Sequence, residues 1–74
     1  MNINKELLIE SIELHLRDRH LDIDSLNVIA EYAPLISEQL AKAYGMSRGA
    51  FRQYVSERKR VEIDEIKRTI LKIN

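Results

Sequence analysis

The sequence predicts an all-α protein, a small bundle of four or five helices. Residues that favour helices dominate the 74-residue chain, which contains only two glycines and one proline. Apolar residues recur at three- and four-residue spacing, and no segment shows the alternation of a strand. A chain of this size buries only ~60% of its surface on folding. We therefore expect a single domain over residues 1–74 with a thin core.

The first helix is predicted to begin at Asn4, a residue type that caps helix N-termini well. Apolar side chains then follow at the spacing of one core-facing stripe: Leu8, Ile9, Ile12 and Leu16. The segment from His20 to Ser25 breaks this pattern. The helix is expected to end near Arg19 or His20.

A second helix is predicted to be capped by Asp24 or Ser25 and to bury Leu26, Ile29, Ala30 and Ala33. Pro34 follows, and proline is tolerated in the first turn of a helix but not inside one. The second helix should therefore end near Ala33, with a third beginning at Pro34 or Leu35. One long kinked helix is the alternative. Residues 1–33 would thus form the acidic N-terminal helices.

The third helix should extend to Tyr44 and bury Ile36, Leu40, Ala41 and Tyr44. Gly45 comes next, and glycine readily adopts the left-handed conformation that ends a helix. Ser47 is a suitable N-cap for a fourth helix. A sharp turn between two short helices is the expected result.

This succession predicts a helix-turn-helix over residues 34–56. Ala41 is small where two helices must approach, Gly45 supplies the turn, and Phe51 plugs the space beneath the second helix. The predicted motif core comprises Leu40, Ala41, Tyr44, Gly45, Phe51, Tyr54 and Val55.

With Phe51 turned inward, helical geometry places Arg48, Gly49, Arg52 and Gln53 outside. Arginine can bond guanine and glutamine can bond adenine, while glycine permits close approach to the groove. These four residues are the predicted base-reading set. The predicted phosphate contacts are Lys42, Ser47, Ser56, Arg58, Lys59 and Arg60. The alternative is an ordinary solvated helix face.

The charges are divided along the chain although the net charge is zero. Residues 1–41 carry three basic and eight acidic side chains, whereas residues 42–74 carry nine basic and four acidic ones. A basic half can face phosphate while the acidic half faces elsewhere. Alternatively, the two halves neutralise each other within the fold.

The segment over about residues 36–60 resembles the helix-turn-helix of TetR-type regulators. Leu40-Ala41, the Gly45–Gly49 turn and Tyr54-Val55 occupy the family's positions, and Arg58 or Lys59 supplies its following basic residue. Arg52 stands where the family has a tyrosine, and Ser37 replaces an apolar residue. Resolvase, AraC-like and phage regulator motifs share much of this pattern. The resemblance implies a DNA-binding helix, without the family's ligand-binding domain or an inducer pocket.

Residues 57–74 combine a basic segment with a C-terminal helix. Its apolar stripe, Ile63, Ile66, Ile70 and Ile73, either forms a dimer interface or packs on the first helix within one chain. A homodimer is expected in either case, because one recognition helix contacts few bases and specificity generally needs two half-sites. Its interface could also lie on the acidic helices.

Other classes of function receive little support from the sequence. The chain lacks cysteine, and the string His20-x-Asp22-x-Asp24 is a poor metal site, so neither metal nor cofactor is expected. No nucleophile–base pair or phosphate loop predicts an enzyme. No apolar run predicts a membrane span, so we expect a cytoplasmic protein. The competing hypothesis is a protein-binding module, an anti-activator, antitoxin or phage-encoded inhibitor, gripping its partner through the acidic helices at Glu6, Glu10 and Glu13.

Overall fold

A computed structural model describes residues 4–73. Within this range the chain forms five helices and one two-stranded sheet, which confirms the predicted all-α bundle. In chain order the elements are α1 (Lys5–His15), β1 (His20–Leu21), α2 (Ile23–Tyr32), α3 (Pro34–Ala43), α4 (Arg48–Arg58), β2 (Val61–Glu62) and α5 (Ile63–Leu71). Between residues 4 and 73, none of the helices is both long and apolar enough to cross a membrane.

Helix α1 begins as predicted but is shorter. The Asn4 side chain accepts a hydrogen bond from the backbone N–H three residues later, at 3.0 Å. The helix ends at His15, so the prediction of an end near Arg19 or His20 is wrong. The physical reason lies in the backbone, because Leu16 is already extended, with φ −94° and ψ 126°, and Asp18 and Arg19 then adopt left-handed φ angles of 54° and 59°. Two consecutive left-handed residues cannot continue a right-handed helix.

The small sheet is a feature that the sequence does not predict. His20 pairs with Glu62 and Leu21 with Val61 in antiparallel register. Leu21 and Val61 are both completely buried, so the sheet contributes to the core. Strands of two residues are too short to produce an alternating pattern. The pairing ties the loop after α1 to the segment after α4, and α5 then packs beside α1.

Helix α2 is capped by a different residue from the two predicted. The Asp22 side chain accepts a hydrogen bond from the backbone N–H of Ser25 at 2.8 Å. This bond is the main cause of the lowered pKa of Asp22. The prediction of Asp24 or Ser25 as the cap is therefore wrong, and the helix begins at Ile23.

The break between α2 and α3 confirms the prediction from Pro34. Helix α2 ends at Tyr32, Ala33 lies between the two helices with φ −143°, and Pro34 opens α3. The alternative of one kinked helix is excluded. Ala30, predicted to be buried, is exposed on α2, and Ala33 is only half-buried.

One apolar core joins all five helices. Its buried residues are Leu8, Ile12, Leu21, Leu26, Ile29, Leu40, Ala41, Phe51, Val55, Val61, Ile63, Ile66 and Ile70. The α5 stripe therefore packs within a single chain, where Ile66 and Ile70 are completely buried. Of the two alternatives that the sequence left open for this stripe, packing within one chain is the one observed.

Candidate nucleic-acid interface

A four-residue connection joins α3 to α4. Gly45 adopts φ 67°, the left-handed conformation predicted for it. The Ser47 hydroxyl accepts a hydrogen bond from the Ala50 backbone N–H at 3.2 Å, which confirms Ser47 as the N-cap of α4. In addition, the Met46 N–H donates to the Ala41 carbonyl at 2.9 Å. The turn thus has both ends fixed by hydrogen bonds.

The inner face of α4 packs on α3 through an aromatic cluster. Phe51 and Val55 are fully buried, whereas Tyr54 and Tyr44 are half-buried. The Tyr44 ring centroid lies 5.0 Å from that of Phe51 and 5.4 Å from that of Tyr54. These separations fall in the range of favourable aromatic pairs. Phe51 therefore acts as the predicted plug, and the orientation of α4 is fixed by packing.

Glu65 of α5 is the polar centre that holds α4 in place. It accepts hydrogen bonds from the hydroxyls of Tyr44 and Tyr54, at 2.9 and 3.0 Å, and from the Arg58 guanidinium at 2.7 Å. Partial burial alone would raise the pKa of Glu65, but these three donors outweigh it and lower the pKa. Burial and Glu65 raise the pKa of both tyrosines. One carboxylate therefore links the end of α3, α4 and α5.

The outward face of α4 carries polar side chains and glycine. At ~100° per residue, with Phe51 pointing inward, Gly49, Gln53 and Ser56 lie within about 40° of the outermost direction. All three are exposed. A Cβ added at Gly49 would meet no atom within 4 Å, so this position faces open space. We call these three residues the outer face of α4.

Arg48 and Arg52 lie on the flank of α4 that faces α2. Both are exposed, as predicted. The Arg52 guanidinium donates a hydrogen bond to the side-chain oxygen of Asn27 on α2. This contact was not predicted from the sequence, since the two residues are 25 positions apart. Arg52 is thus directed along the side of α4, whereas Gln53 points away from the protein.

The residues predicted to contact phosphate differ in whether a carboxylate already pairs with them. Three of them are paired with carboxylates: Arg58 with Glu65 at 2.7 Å, Arg60 with Glu62 at 2.9 Å and Lys42 with Glu38 at 3.4 Å. Ser56 is exposed, and Ser47 is used as a cap. Lys59 ends α4 with φ 69° and has no carboxylate within ion-pair distance among residues 4–73.

The basic triplet is therefore not one continuous cluster. Arg58 also lies over the Tyr54 ring, 5.3 Å from its centroid. Arg58 is the last residue of α4, whereas Lys59 and Arg60 lie in the connection to β2, where the chain turns at Lys59. Neutralised arginines attract phosphate less strongly than free ones, so Lys59 is the strongest remaining phosphate candidate of the triplet.

Comparisons with protein-family models, with curated proteins and with solved structures returned no significant match. Among residues 4–73, no group of three His, Cys, Asp or Glu side chains is arranged to hold a metal ion. The function of this surface must therefore be inferred from its own geometry and chemistry.

Proposed function

We propose that this protein binds double-stranded DNA by placing α4 in the major groove. The observation that carries the proposal is the combination of a fixed α3–turn–α4 unit with an exposed, non-acidic outer face of α4. Helices held in this way, with polar residues and arginines outside, are typical of DNA recognition. The proposal applies to the surface from Ser47 to Ser56.

Base contacts are assigned to the residues nearest the groove. Gln53, on the outer face of α4, can bond adenine bidentately. Gly49 adds no side chain, so the backbone of α4 can approach the bases closely. Lys59 and the N-terminal N–H groups of α4 supply contacts to phosphate.

The proposed action is occupancy of a DNA site without catalysis, as in a small cytoplasmic regulator of transcription or of a mobile element. A homodimer would place two copies of α4 on half-sites about one helical turn apart. Because the α5 isoleucines are buried in their own chain, the dimer contact must use another surface.

The test is a fluorescence-anisotropy titration of a random duplex pool at about 0.05 and 0.2 M salt, conditions between which phosphate contacts weaken strongly. The control is Arg48→Ala/Gln53→Ala, which removes two exposed side chains and leaves the core intact. Salt-sensitive binding that the double variant reduces supports the proposal. Absence of binding at low salt contradicts it.

A second candidate function is protein binding through α1. Leu7 and Leu14 are 60% and 81% exposed, and the acidic residues Glu6, Glu10 and Glu13 lie on the same helix. Of these, Glu13 is within ion-pair distance of Arg19 and Lys67. Exposed leucines among acidic residues are suited to a partner with an apolar centre and a basic rim. Leu7→Ser/Leu14→Ser should abolish such binding and leave DNA binding unchanged, which separates the two functions.

A further inference from the structure

A groove lies between α2 and α4. Its polar side chains are not part of the outer face of α4. Its volume is about 280 Å³, and its lining includes Asn27 of α2, Ser37 of α3, and Arg48, Gly49 and Arg52 of α4. The sequence predicted Arg48 and Arg52 to share one base-reading face with Gln53. The structure instead orients both arginines toward α2, about 100° or more from the direction of Gln53.

The groove carries positive charge that its surroundings do not neutralise. Within residues 4–73, neither Arg48 nor Arg52 has a carboxylate within ion-pair distance, and no acidic residue lines the groove. By contrast, Arg58 and Arg60 are both paired. Two arginines four residues apart on a helix repel each other. An anion between them would relieve this repulsion.

Ser37 provides an independent indication of a ligand. The residue is only 5% exposed, yet it is a polar residue in the core and lines the groove. Its hydroxyl makes no hydrogen bond within the described part of the chain. No fully enclosed side-chain oxygen in residues 4–73 lacks a partner, so the Ser37 hydroxyl retains some exposure. Ser37 therefore adds a nearly buried hydroxyl to the lining of the groove.

We propose that this α2–α4 groove binds one phosphodiester group of the DNA backbone, with Arg52 as its main ligand. This inference rests on the proposed function and changes the predicted role of Arg48 and Arg52 from base reading to phosphate binding. Arg48 and the Ser37 hydroxyl supply further donors. Asn27 is a positioning residue, because its side-chain oxygen holds the Arg52 guanidinium and leaves the amide NH₂ group as a donor to the same phosphate.

A phosphate fits this site better than a base edge. Guanidinium groups bind phosphate oxygens in a planar fork, and several donors around one small volume match a tetrahedral anion. Arg52 is also held back on the flank of α4 by Asn27. With α4 in the major groove, its flank faces the sugar–phosphate wall and its outer face the bases.

The experiment uses the full chain and a duplex site selected from a random pool, and it compares Arg52→Ala with Gln53→Ala. Loss of one phosphate contact should weaken binding to every sequence roughly eightfold at about 0.1 M salt and reduce the salt slope by about 0.9. The sequence preference should stay the same. Gln53→Ala should instead relax the preference at one base pair. Arg68→Ala, an exposed arginine on α5, is the charge-matched control and should have little effect.

Two further variants test the role of Asn27. Asn27→Asp would pair with Arg52 and repel the phosphate, so it should weaken binding more than Asn27→Ala, again for all sequences alike. A neutral methylphosphonate at one position of the DNA backbone should weaken binding of the unmodified protein severalfold. The same replacement should leave the affinity of Arg52→Ala almost unchanged. Circular dichroism confirms that each variant is folded.

The outcomes separate this inference from the proposed function. If Arg52→Ala relaxes preference at one base pair, or if no backbone position responds to methylphosphonate, the phosphate site is refuted while DNA binding stands. If the unmodified protein binds no duplex, both proposals are refuted.

Inorganic phosphate and mononucleotides are titrated in parallel, following the Gly49 amide signal by NMR. Tight binding of either, without duplex binding, would assign the groove to a free phosphate ligand instead.

Discussion

Removal of the Glu65 carboxylate should destabilise the protein strongly although the side chain lies near the surface. Glu65→Ala deprives the Tyr44 and Tyr54 hydroxyls of their acceptor, at 2.9 and 3.0 Å. A hydrogen bond to a charged group contributes about 1.5–3 kcal/mol. Because the Glu65 side chain is 24% exposed, the lower end applies, and two bonds give a loss of about 3 kcal/mol. The Arg58 contact is omitted, since solvent screens it.

Thermal unfolding followed by circular dichroism measures this loss. For a domain of this length, a loss of that size lowers Tm by roughly 15 °C. Glu38→Ala is the matched control, because Glu38 pairs with exposed Lys42 at 3.4 Å on one helix. An exposed pair of this kind contributes only about 0.5 kcal/mol. Equal losses in the two variants would refute the role assigned to Glu65.

The lowered pKa of Glu65 gives the same prediction a pH dependence. A carboxyl group whose pKa is lower in the folded protein than in the unfolded chain stabilises the fold above the unfolded pKa, here 4.5. The stabilisation is lost as pH falls through the lower folded pKa. The difference in stability between the unmodified protein and Glu65→Ala should therefore be full at about pH 7 and shrink at about pH 3. A difference that grows with acidification would contradict the network.

Substitutions at three other positions test the approach of α4 to DNA, the turn before α4 and the core. A Cβ at Gly49 would meet no atom within 4 Å, and alanine favours helix, so chemical denaturation of Gly49→Ala should show stability unchanged or raised by up to ~1 kcal/mol. Fluorescence anisotropy should show weaker DNA binding. Unchanged affinity would argue against a close approach of the α4 backbone to DNA. Gly45→Ala should cost ~1–2 kcal/mol in the same denaturation assay because its φ is 67°, and Gly45→Asn should cost less. Ile66→Ala should cost ~2–5 kcal/mol in the same assay because its side chain is completely buried; a loss below ~1 kcal/mol would contradict the packing of α5 in the core of its own chain.

The boundaries between α2, α3 and α4 were predictable because each depends on local signals. Pro34 separates α2 from α3, Gly45 forms the turn and Ser47 caps α4, as expected from residue type alone. Phe51 also lies in the predicted core position. These features require only neighbouring residues, so a single sequence is sufficient to find them.

The features that escaped prediction join distant parts of the chain. The two strands bring Leu21 to Val61, and Glu65 receives a hydrogen bond from Tyr44, 21 positions away. From the sequence alone, a solvated glutamate on an amphipathic helix cannot be distinguished from one that accepts several hydrogen bonds. Likewise, the Asn27–Arg52 contact depends on how α2 packs beside α4, which residue spacing does not specify. Sequence identified the exposed residues of α4 but not their division between outer face and flank.

If α4, and not the acidic helix α1, contacts DNA, an amide-shift titration of the ¹⁵N-labelled protein with a selected duplex will show it residue by residue. The largest changes are expected over residues 45–57 and at Asn27, with the amides of α1 almost unchanged. Changes concentrated on α1, or no changes at all at low salt, would contradict DNA contact through α4.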